Sequence, residues 1–286
     1  MVRKLVECFI LGMIYGAAFV SVMLLIGILA YVFARGIPFV NWSFITTVTS
    51  ILHGTTGIAG NLVNTIYVVM LTLIVAVPVG VGAAVWLSEY AGGGWWVKLI
   101  VFTTQTLAGM PSVIFGLFGM VFFGVTLGLG YSVLTGSLTL TLMILPLITC
   151  NTQEALNAVP DSYRMGAAGM GATKWYMIRT VLLPAAMPGI VTGVILAVGR
   201  IVGESAALFL TAGSGYMLPG SWRGFLHKAM ESGGTLTVQM YLSMSKAQYG
   251  VAFGIGSVLL GLVLVMNLCI RLIAVKGSVH SKPHPQ

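Results

Sequence analysis

The stretch GVILAVGRIVGESAALFLTAG, residues 193–213, decides the class of this protein. It is predominantly apolar over about 20 residues, the length that an α-helix needs to cross a hydrocarbon core. Arg200 and Glu204 stand in the middle of this run. Because they are four residues apart, they are predicted to share one face of a single helix. A charged side chain near the bilayer centre costs about 3 kcal/mol on insertion scales, so this pair is expected to have a function.

The rest of the chain has the same apolar character. Of its 286 residues, 58% are hydrophobic and only 7% are charged, and the mean hydropathy is +1.01. Soluble domains average about 45–50% apolar residues. The sequence therefore predicts an all-α, polytopic membrane helical bundle that forms a single transmembrane domain over residues 1–286 in a lipid bilayer. Six transmembrane helices are expected, near residues 9–33, 61–88, 98–127, 132–150, 185–212 and 249–274.

The distribution of Lys and Arg predicts the orientation, because cytoplasmic loops carry an excess of these residues. With the N-terminus inside, nine basic residues lie inside, four lie outside, and Arg200 lies in the membrane. Both termini are therefore predicted to be cytoplasmic, with loops 34–60 and 213–248 outside. The spread of charge over the loops does not suggest a nucleic-acid partner. The inside set is Arg3, Lys4, Lys98, Arg164, Lys174, Arg179, Arg271, Lys276 and Lys282, and the outside set is Arg35, Arg223, Lys228 and Lys246.

The longest inside loop, residues 151–183, carries the most specific pattern of the chain. It contains SYRMGAAGM and TKWYMIRTV, which are predicted to form two short helices separated by Gly171. Glycine takes the positive φ that a sharp reversal needs. Ala167 and Ala168 keep one face small, as a knob that docks into a groove would require. The alternative is a plain amphipathic linker between two spans.

This loop resembles the coupling loop of ABC-importer permeases, whose pattern is Glu-Ala-Ala, three residues, Gly, nine residues, Ile-x-Leu-Pro. Gly171, Leu183 and Pro184 match at the family's spacing, and Val181 replaces the Ile. Met165 stands where the family usually has Glu. The resemblance implies a type I ABC-importer transmembrane domain with its coupling loop at 151–183. It also implies that this loop contacts an ATPase through Arg164, Ala167, Ala168, Gly171, Ala172, Leu183 and Pro184.

Further stretches resemble the phosphate-importer permeases of the PstA/PstC type, with the PstA branch as the better match. They include LAGMPSVIFGLFG (107–119), GRIVGESAALFLTAG (199–213) and GGTLTVQMY (233–241). The resemblance implies a multi-pass subunit of a bacterial or archaeal inner membrane. Its implied partners are a second, PstC-like permease, a dimer of PstB-like ATPases and an extracellular, PstS-like phosphate-binding protein. The sequence has no G-x-x-x-x-G-K-[ST] phosphate loop, so we expect no cofactor on this chain, with ATP and Mg²⁺ bound by the ATPase.

Arg200 and Glu204 are the main candidates for the substrate pathway. The Arg fork suits the acceptor oxygens of phosphate, and Glu204 would balance its charge. The alternative is a structural ion pair that only fixes helix packing. Thr104 and Gln105 are weaker pathway candidates, because threonine in a span usually bonds its own helix backbone. We predict no catalytic residue, and the His and Cys residues show no metal-ligand spacing.

Other functions stay open at this point. An ABC importer could carry another oxyanion such as sulfate. An ion-coupled secondary carrier would also use an intramembrane Arg and Glu, but carriers of that kind usually contain internal repeats, and the sequence shows no convincing repeat. A membrane scaffold would not need the charged pair at all.

Overall fold

Long helices dominate the computed structural model, which describes residues 2–50, 55–215 and 227–279. Five helices in these ranges are long and apolar enough to cross a membrane, or six if one bent pair counts as a span. The prediction of an all-α membrane bundle is therefore confirmed. The five long helices are α1 (Val2–Gly36), α3 (Ala59–Val85), α6 (Val133–Asn157), α9 (Leu183–Gly203) and α12 (Tyr249–Val279).

Shorter elements connect these helices. The bent pair is α4 (Trp95–Ala108) with α5 (Ser112–Gly119), and an antiparallel hairpin of β1 (Val48–Ser50) and β2 (Thr55–Ile58) precedes α3. The remaining helices are α2 (Trp42–Thr46), α7 (Asp161–Gly169), α8 (Lys174–Met177), α10 (Ala206–Thr211) and α11 (Leu236–Ser245). Wider π-helical turns follow α3 (Trp86–Tyr90), α5 (Met120–Thr126) and α8 (Ile178–Leu182). Short 3₁₀ turns lie at Ile37–Phe39 and Lys228–Met230.

The third predicted span, 98–127, is wrong as a single straight helix. The segments Trp95–Ala108 and Ser112–Thr126 meet at an angle of 102°. Pro111, with φ −59° and ψ 137°, stands at the break. It has no N–H to donate, and its ring disfavours helical backbone in the residue before it. Pro78 and Pro146, in contrast, remain inside α3 and α6.

The fifth predicted span, 185–212, also differs from the structure. Helix α9 ends at Gly203, and Glu204 is extended with φ −77° and ψ 125°. A separate short helix, α10, then begins at Ala206. Arg200 therefore lies in the last turn of α9 and Glu204 lies beyond its end. The prediction that these two residues share one face of a single helix is wrong.

Helix α6 is the centre of the bundle. Its side chains Leu140, Ile144 and Ile148 are at most 1% exposed. They pack with apolar residues of α3, α9 and α10 in one core cluster. Helix α1, in contrast, has no buried residue in its most apolar window. The C-terminal end of α1 contacts α12, where the Tyr31 and Phe253 rings meet edge to face with their centres 5.6 Å apart.

Contacts at the two ends of the bundle group the loops in two sets. At one end, the side-chain amides of Asn61 and Asn64 donate to the carbonyls of Gly234 and Gly215, respectively, which lie in the loop 213–248. Asn61 and Asn64 lie at the start of α3. At the other end of α3, Arg164 of the loop 151–183 binds Glu89. This grouping matches the predicted outside and inside loops. Arg223, one of the residues assigned to the outside, lies outside the described residues.

Candidate functional site

The predicted coupling loop folds into two short helices. Helix α7 ends at Gly169, and Gly171 has a φ of +77°. Two backbone bonds close the reversal, from the Gly171 N–H to the Ala168 carbonyl and from the Ala172 N–H to the Ala167 carbonyl, both at 3.0 Å. Helix α8 begins two residues after Ala172. The predicted pair of helices around Gly171 is confirmed, and helix α6, which runs to Asn157, reaches further into the loop than expected.

The inner face of the loop is part of the protein core. Ala167 is 4% exposed, and Ile178 and Leu182 are fully buried. They pack with Val85 at the end of α3 and with Leu156 at the end of α6. Ala167 is therefore covered by this chain itself, and its predicted contact with an ATPase stays a prediction. Of the other predicted coupling residues, Ala168 and Gly171 are exposed, while Ala172, Leu183 and Pro184 are half-buried.

Arg164 also turns inward. Its Nη2 and Nε donate to Glu89 Oε1 at 2.9 and 3.2 Å. Its Nη1 donates to Asp161 Oδ1 at 3.1 Å. The same guanidinium donates to the carbonyls of Val159 and Leu156, each at 3.0 Å. Arg164 thus joins the last turn of α6, the turn that follows it and the end of α3 to the loop.

Sequence reasoning missed Glu89. Its side chain is only 7% exposed, and it lies in the π-helical turn that ends the second span. One signal pointed to it: it is one of only six acidic residues in the chain, at the inner end of a predicted span. A buried carboxylate there requires a cation. The sequence could not identify that cation, because Arg164 is 75 residues away along the chain.

A second contact joins the loop to the same turn. The Lys174 ammonium lies 4.9 Å from the centre of the Tyr90 ring. An ammonium over the face of an aromatic ring within about 6 Å is attracted by the ring quadrupole. Both helices of the loop therefore contact the residues that follow α3.

Several large apolar and aromatic side chains of the loop are exposed. Met165, at the position of the family's usual Glu, is 68% exposed. Exposed apolar side chains at a helix surface can serve as sites of protein contact. The other large exposed side chains of the loop are Tyr163, Met170, Trp175 and Tyr176.

Arg200 lies on a face of α9 that the chain leaves partly uncovered. Leu196, one turn earlier, is 51% exposed, and Gly203, in the next turn, is exposed, while Arg200 itself is half-buried. No ion pair to Arg200 occurs within the part of the chain that the structure describes. Its predicted partner, Glu204, instead accepts a hydrogen bond at Oε1 from the Ala207 N–H at 3.0 Å.

The bend after α9 is held from a second side. The Thr237 hydroxyl of α11 donates to the Glu204 carbonyl at 2.8 Å, and Thr235 and Thr237 share a hydrogen bond of 3.0 Å. The two stretches GRIVGESAALFLTAG and GGTLTVQMY, which are distant in sequence, meet at this point. Glu204 therefore fixes the start of α10, since its carboxylate satisfies an N–H in the first turn of that helix.

The weaker pathway candidates lie on α4, where no residue is buried. The Thr104 hydroxyl donates to the Ile100 carbonyl of its own helix at 2.8 Å, and Gln105 is exposed. Thr104 lines a cavity of about 430 Å³ between α3, α4, α5 and α6, whose other lining residues are almost all apolar. The structure does not place Arg200, Glu204 or Gln105 on this cavity. A pathway role for these four residues stays a prediction. Within the described ranges, no cluster of His, Cys, Asp and Glu could hold a metal ion.

Comparison with known proteins identifies the family to which this membrane bundle belongs. Residues 76–276 match the family described as binding-protein-dependent transport system inner membrane component. The chain belongs to this family. It is therefore a permease subunit of an ABC transporter, with structural neighbours among ABC importers, and the expectation of an ABC-importer membrane domain is confirmed. An ion-coupled secondary carrier is not favoured.

Two relatives and one solved structure illustrate the similarity of this permease to known proteins. It is 35% identical over 211 residues to the probable ABC transporter permease protein YqgI of Bacillus subtilis. That alignment covers 74% of this chain and 72% of the relative. It is 29% identical over 247 residues to the phosphate transport system permease protein PstA of Xylella fastidiosa, covering 86% and 84% of the two chains. A crystal structure of a bacterial alginate ABC transporter in complex with alginate pentasaccharide-bound periplasmic protein has a TM-score of 0.65 at 16% identity, covering 96% of this chain and 95% of that one. That structural likeness shows the fold alone.

The family also defines the setting of the permease. It is an inner membrane component with several spans, and an ABC importer of this kind works with a partner permease, an ATPase and a substrate-binding protein.

Proposed function

We propose that this permease is the PstA-type subunit of an ATP-driven importer of inorganic phosphate and forms half of its translocation pore. The observation that carries the proposal is the alignment of 86% of the chain with a protein named phosphate transport system permease PstA. The proposed partners are a PstC-like permease, two PstB-like ATPase subunits and a PstS-like binding protein. ATP and Mg²⁺ are bound by the ATPase subunits, and this chain has no catalytic residue or cofactor. Both termini are proposed to be cytoplasmic.

Energy coupling in this proposal acts through the loop 151–183. Closure of the ATPase dimer on ATP moves the loops of both permeases and opens the pore outward, so the nucleotide biases a two-state equilibrium. The positive φ of Gly171 and the exposed apolar side chains of Met165, Met170 and Trp175 support a preformed knob that enters a groove of the ATPase. An apolar contact here replaces the acidic contact that other members of the family make.

Phosphate recognition is assigned to Arg200. A guanidinium that lies on a partly uncovered face of a span, with no ion-pair partner among the described residues, is available to an anion. Its planar fork of donors matches the acceptor oxygens of phosphate. The capping bond from Ala207 to Glu204 supports a different role for the carboxylate: it holds the bend that ends α9 just after Arg200.

Uptake of radiolabelled phosphate by cells that express the complete set of partner subunits tests this proposal. Arg200→Gln removes the charge and most of the donors, and we expect uptake to fall at least about tenfold while complex yield stays normal, since charged hydrogen bonds are worth about 1.5–3 kcal/mol. Arg271→Gln is the matched control, because Arg271 is exposed near the C-terminal end of α12 and lies outside both the coupling loop and α9. Competition by excess sulfate, or unchanged uptake in Arg200→Gln, would contradict the assignment of substrate or residue, respectively.

A further inference from the structure

Each helix of the coupling loop contributes one positively charged side chain that contacts the residues at the end of α3. Glu89 binds Arg164 of α7, and the adjacent Tyr90 lies under Lys174 of α8. Two neighbouring residues of one span thus contact both halves of the element that, under the proposed function, faces the ATPase.

Every N–H donor of the Arg164 guanidinium has a hydrogen-bond partner. A guanidinium has five N–H donors, and Arg164 uses them in five hydrogen bonds: two to Glu89, one to Asp161, one to the Leu156 carbonyl of α6 and one to the Val159 carbonyl just beyond it. The Arg164 side chain is 23% exposed and the Glu89 side chain 7%. Breaking this arrangement leaves a mostly buried carboxylate and several donors without partners, which is far costlier than separating an exposed pair.

An apolar core lies directly behind the ion pair. Val85 of α3 and Leu156 of α6 pack with Ile178 and Leu182, the latter three fully buried. Well-packed interiors of this kind transmit displacement because they have few voids. The inner ends of α3 and α6 and the two loop helices are therefore linked by both polar and apolar contacts.

We propose that Glu89 is a positioning residue for energy coupling: with Tyr90 it fixes the coupling loop to α3, so that the loop and this span move as one rigid body through the transport cycle. The inference rests on the proposed coupling of this loop to a separate ATPase. It assigns Arg164 an inward role, as the link to the span, in place of direct contact with the ATPase. Movement of the loop then reaches the opposite end of the span, where Asn61 and Asn64 bind the loop 213–248.

The test compares Glu89→Gln with Asp161→Asn in the purified, reconstituted transporter with all its subunits. Both variants remove one carboxylate charge that contacts Arg164, but the Asp161 side chain is 85% exposed and the Glu89 side chain is 7% exposed. In Glu89→Gln we expect normal complex yield and normal basal ATP hydrolysis. Stimulation of hydrolysis by the binding protein should fall about tenfold, since coupling between sites is usually worth a factor of about 5 to 150. Asp161→Asn should match the unmodified protein.

Arg164→Lys supplies the second variant. Lysine keeps the charge but has three donors on one nitrogen and cannot bind these acceptors together. The double variant Glu89→Gln with Arg164→Lys should lose no more stimulation than the more affected single variant, because both remove one interaction. Unchanged stimulation in Glu89→Gln, or additive losses in the double variant, would overturn the proposal. Loss of basal hydrolysis together with complex yield would show a merely structural role.

A cross-link tests whether the contact between the end of α3 and the coupling loop, here called the joint, stays closed or opens during the transport cycle. In a background without Cys8, Cys150 and Cys269, Tyr90→Cys and Lys174→Cys are joined by a short bifunctional maleimide. A rigid joint predicts that binding-protein-stimulated ATP hydrolysis survives the cross-link, whereas a contact that opens in each cycle predicts its loss and contradicts the proposal. These readouts are independent of the transported anion. Absence of phosphate uptake by the unmodified transporter would contradict the proposed substrate and leave the joint supported or refuted by ATP hydrolysis.

Discussion

Gly171 shows how a single residue determines the shape of the coupling loop. Its φ of +77° lies in the left-handed region, and a Cβ at this position would meet no other atom within 4 Å. The requirement for glycine is therefore one of backbone conformation and not of space. Residues with a branched Cβ rarely adopt this conformation, whereas asparagine adopts it several times more often than most.

Gly171→Val and Gly171→Asn separate these two requirements. Valine should cost about 1–2 kcal/mol at this backbone conformation and distort the turn, so ATPase stimulation and uptake should fall while membrane insertion stays normal. Asparagine should retain most of both activities. The measurement is ATP hydrolysis and uptake for each variant at matched expression, and a fully active Gly171→Val protein would exclude a role for the turn in coupling.

Residue-scale prediction from the sequence succeeded where the signal is local. Gly171 was identified because a reversal between two short helical patterns needs a residue that accepts positive φ. Arg164 was interpreted as a partner contact and Glu89 was missed, because their bond joins segments 75 residues apart. No periodicity or motif encodes a contact of that range.

At the scale of elements, two breaks divide segments that the sequence predicted as continuous spans. Hydropathy reports whether a segment is apolar, and both sides of each break are apolar. The break at Pro111 has a local cause that the sequence displays, but Pro78 and Pro146 show that proline alone does not decide it. The break at Glu204 is bonded both locally, by the Ala207 N–H, and by Thr237 of α11, whose contact the sequence does not reveal.

The short helices that follow these breaks pack closely on each other at Gly116. A Cβ on Gly116 of α5 would lie 2.9 Å from the Ala207 Cα and 3.1 Å from Leu210 Cδ1 in α10. The backbone of α10 cannot move away locally, because Ala207 and Leu208 are fully buried. Glycine at this position allows the two helices to approach.

Gly116→Ala should therefore destabilise the permease by about 1–3 kcal/mol, the usual cost of overpacking. Gly82→Ala is the matched control: Gly82 is an exposed helical glycine of α3 with no atom within 4 Å of an added Cβ. It should be neutral or slightly stabilising, because alanine favours helix by about 1 kcal/mol over glycine. Thermal unfolding of both variants in detergent measures the difference, and equal midpoints would contradict this packing.

At the scale of the whole molecule, the contacts divide the loops into two sets at opposite ends of the bundle. The basic residues predicted which set is cytoplasmic, and the contacts of Asn64 and Glu89 supply the grouping independently. The sequence thus predicted the order of most spans and their grouping. It did not predict that the most apolar window of α1 contains no buried residue.

Single cysteines in a cysteine-free background test the orientation. Ser43→Cys and Ser245→Cys place thiols at exposed positions of the predicted outer loops, and Thr173→Cys places one at an exposed position of the coupling loop. An impermeant maleimide applied to intact cells should label the first two and not the third. Labelling of Thr173→Cys in intact cells, with the outer positions protected, would reverse the orientation.

The saturated guanidinium of Arg164 has a consequence for assembly of the transporter. Its five bonds are all made within this chain, so Arg164 needs no other subunit to satisfy its donors or to hold the loop against α3. A partner that binds a preformed surface loses little conformational entropy of that surface on association, so more of its contact energy remains as affinity. We therefore expect the proposed ATPase to associate with this loop by docking and not by coupled folding.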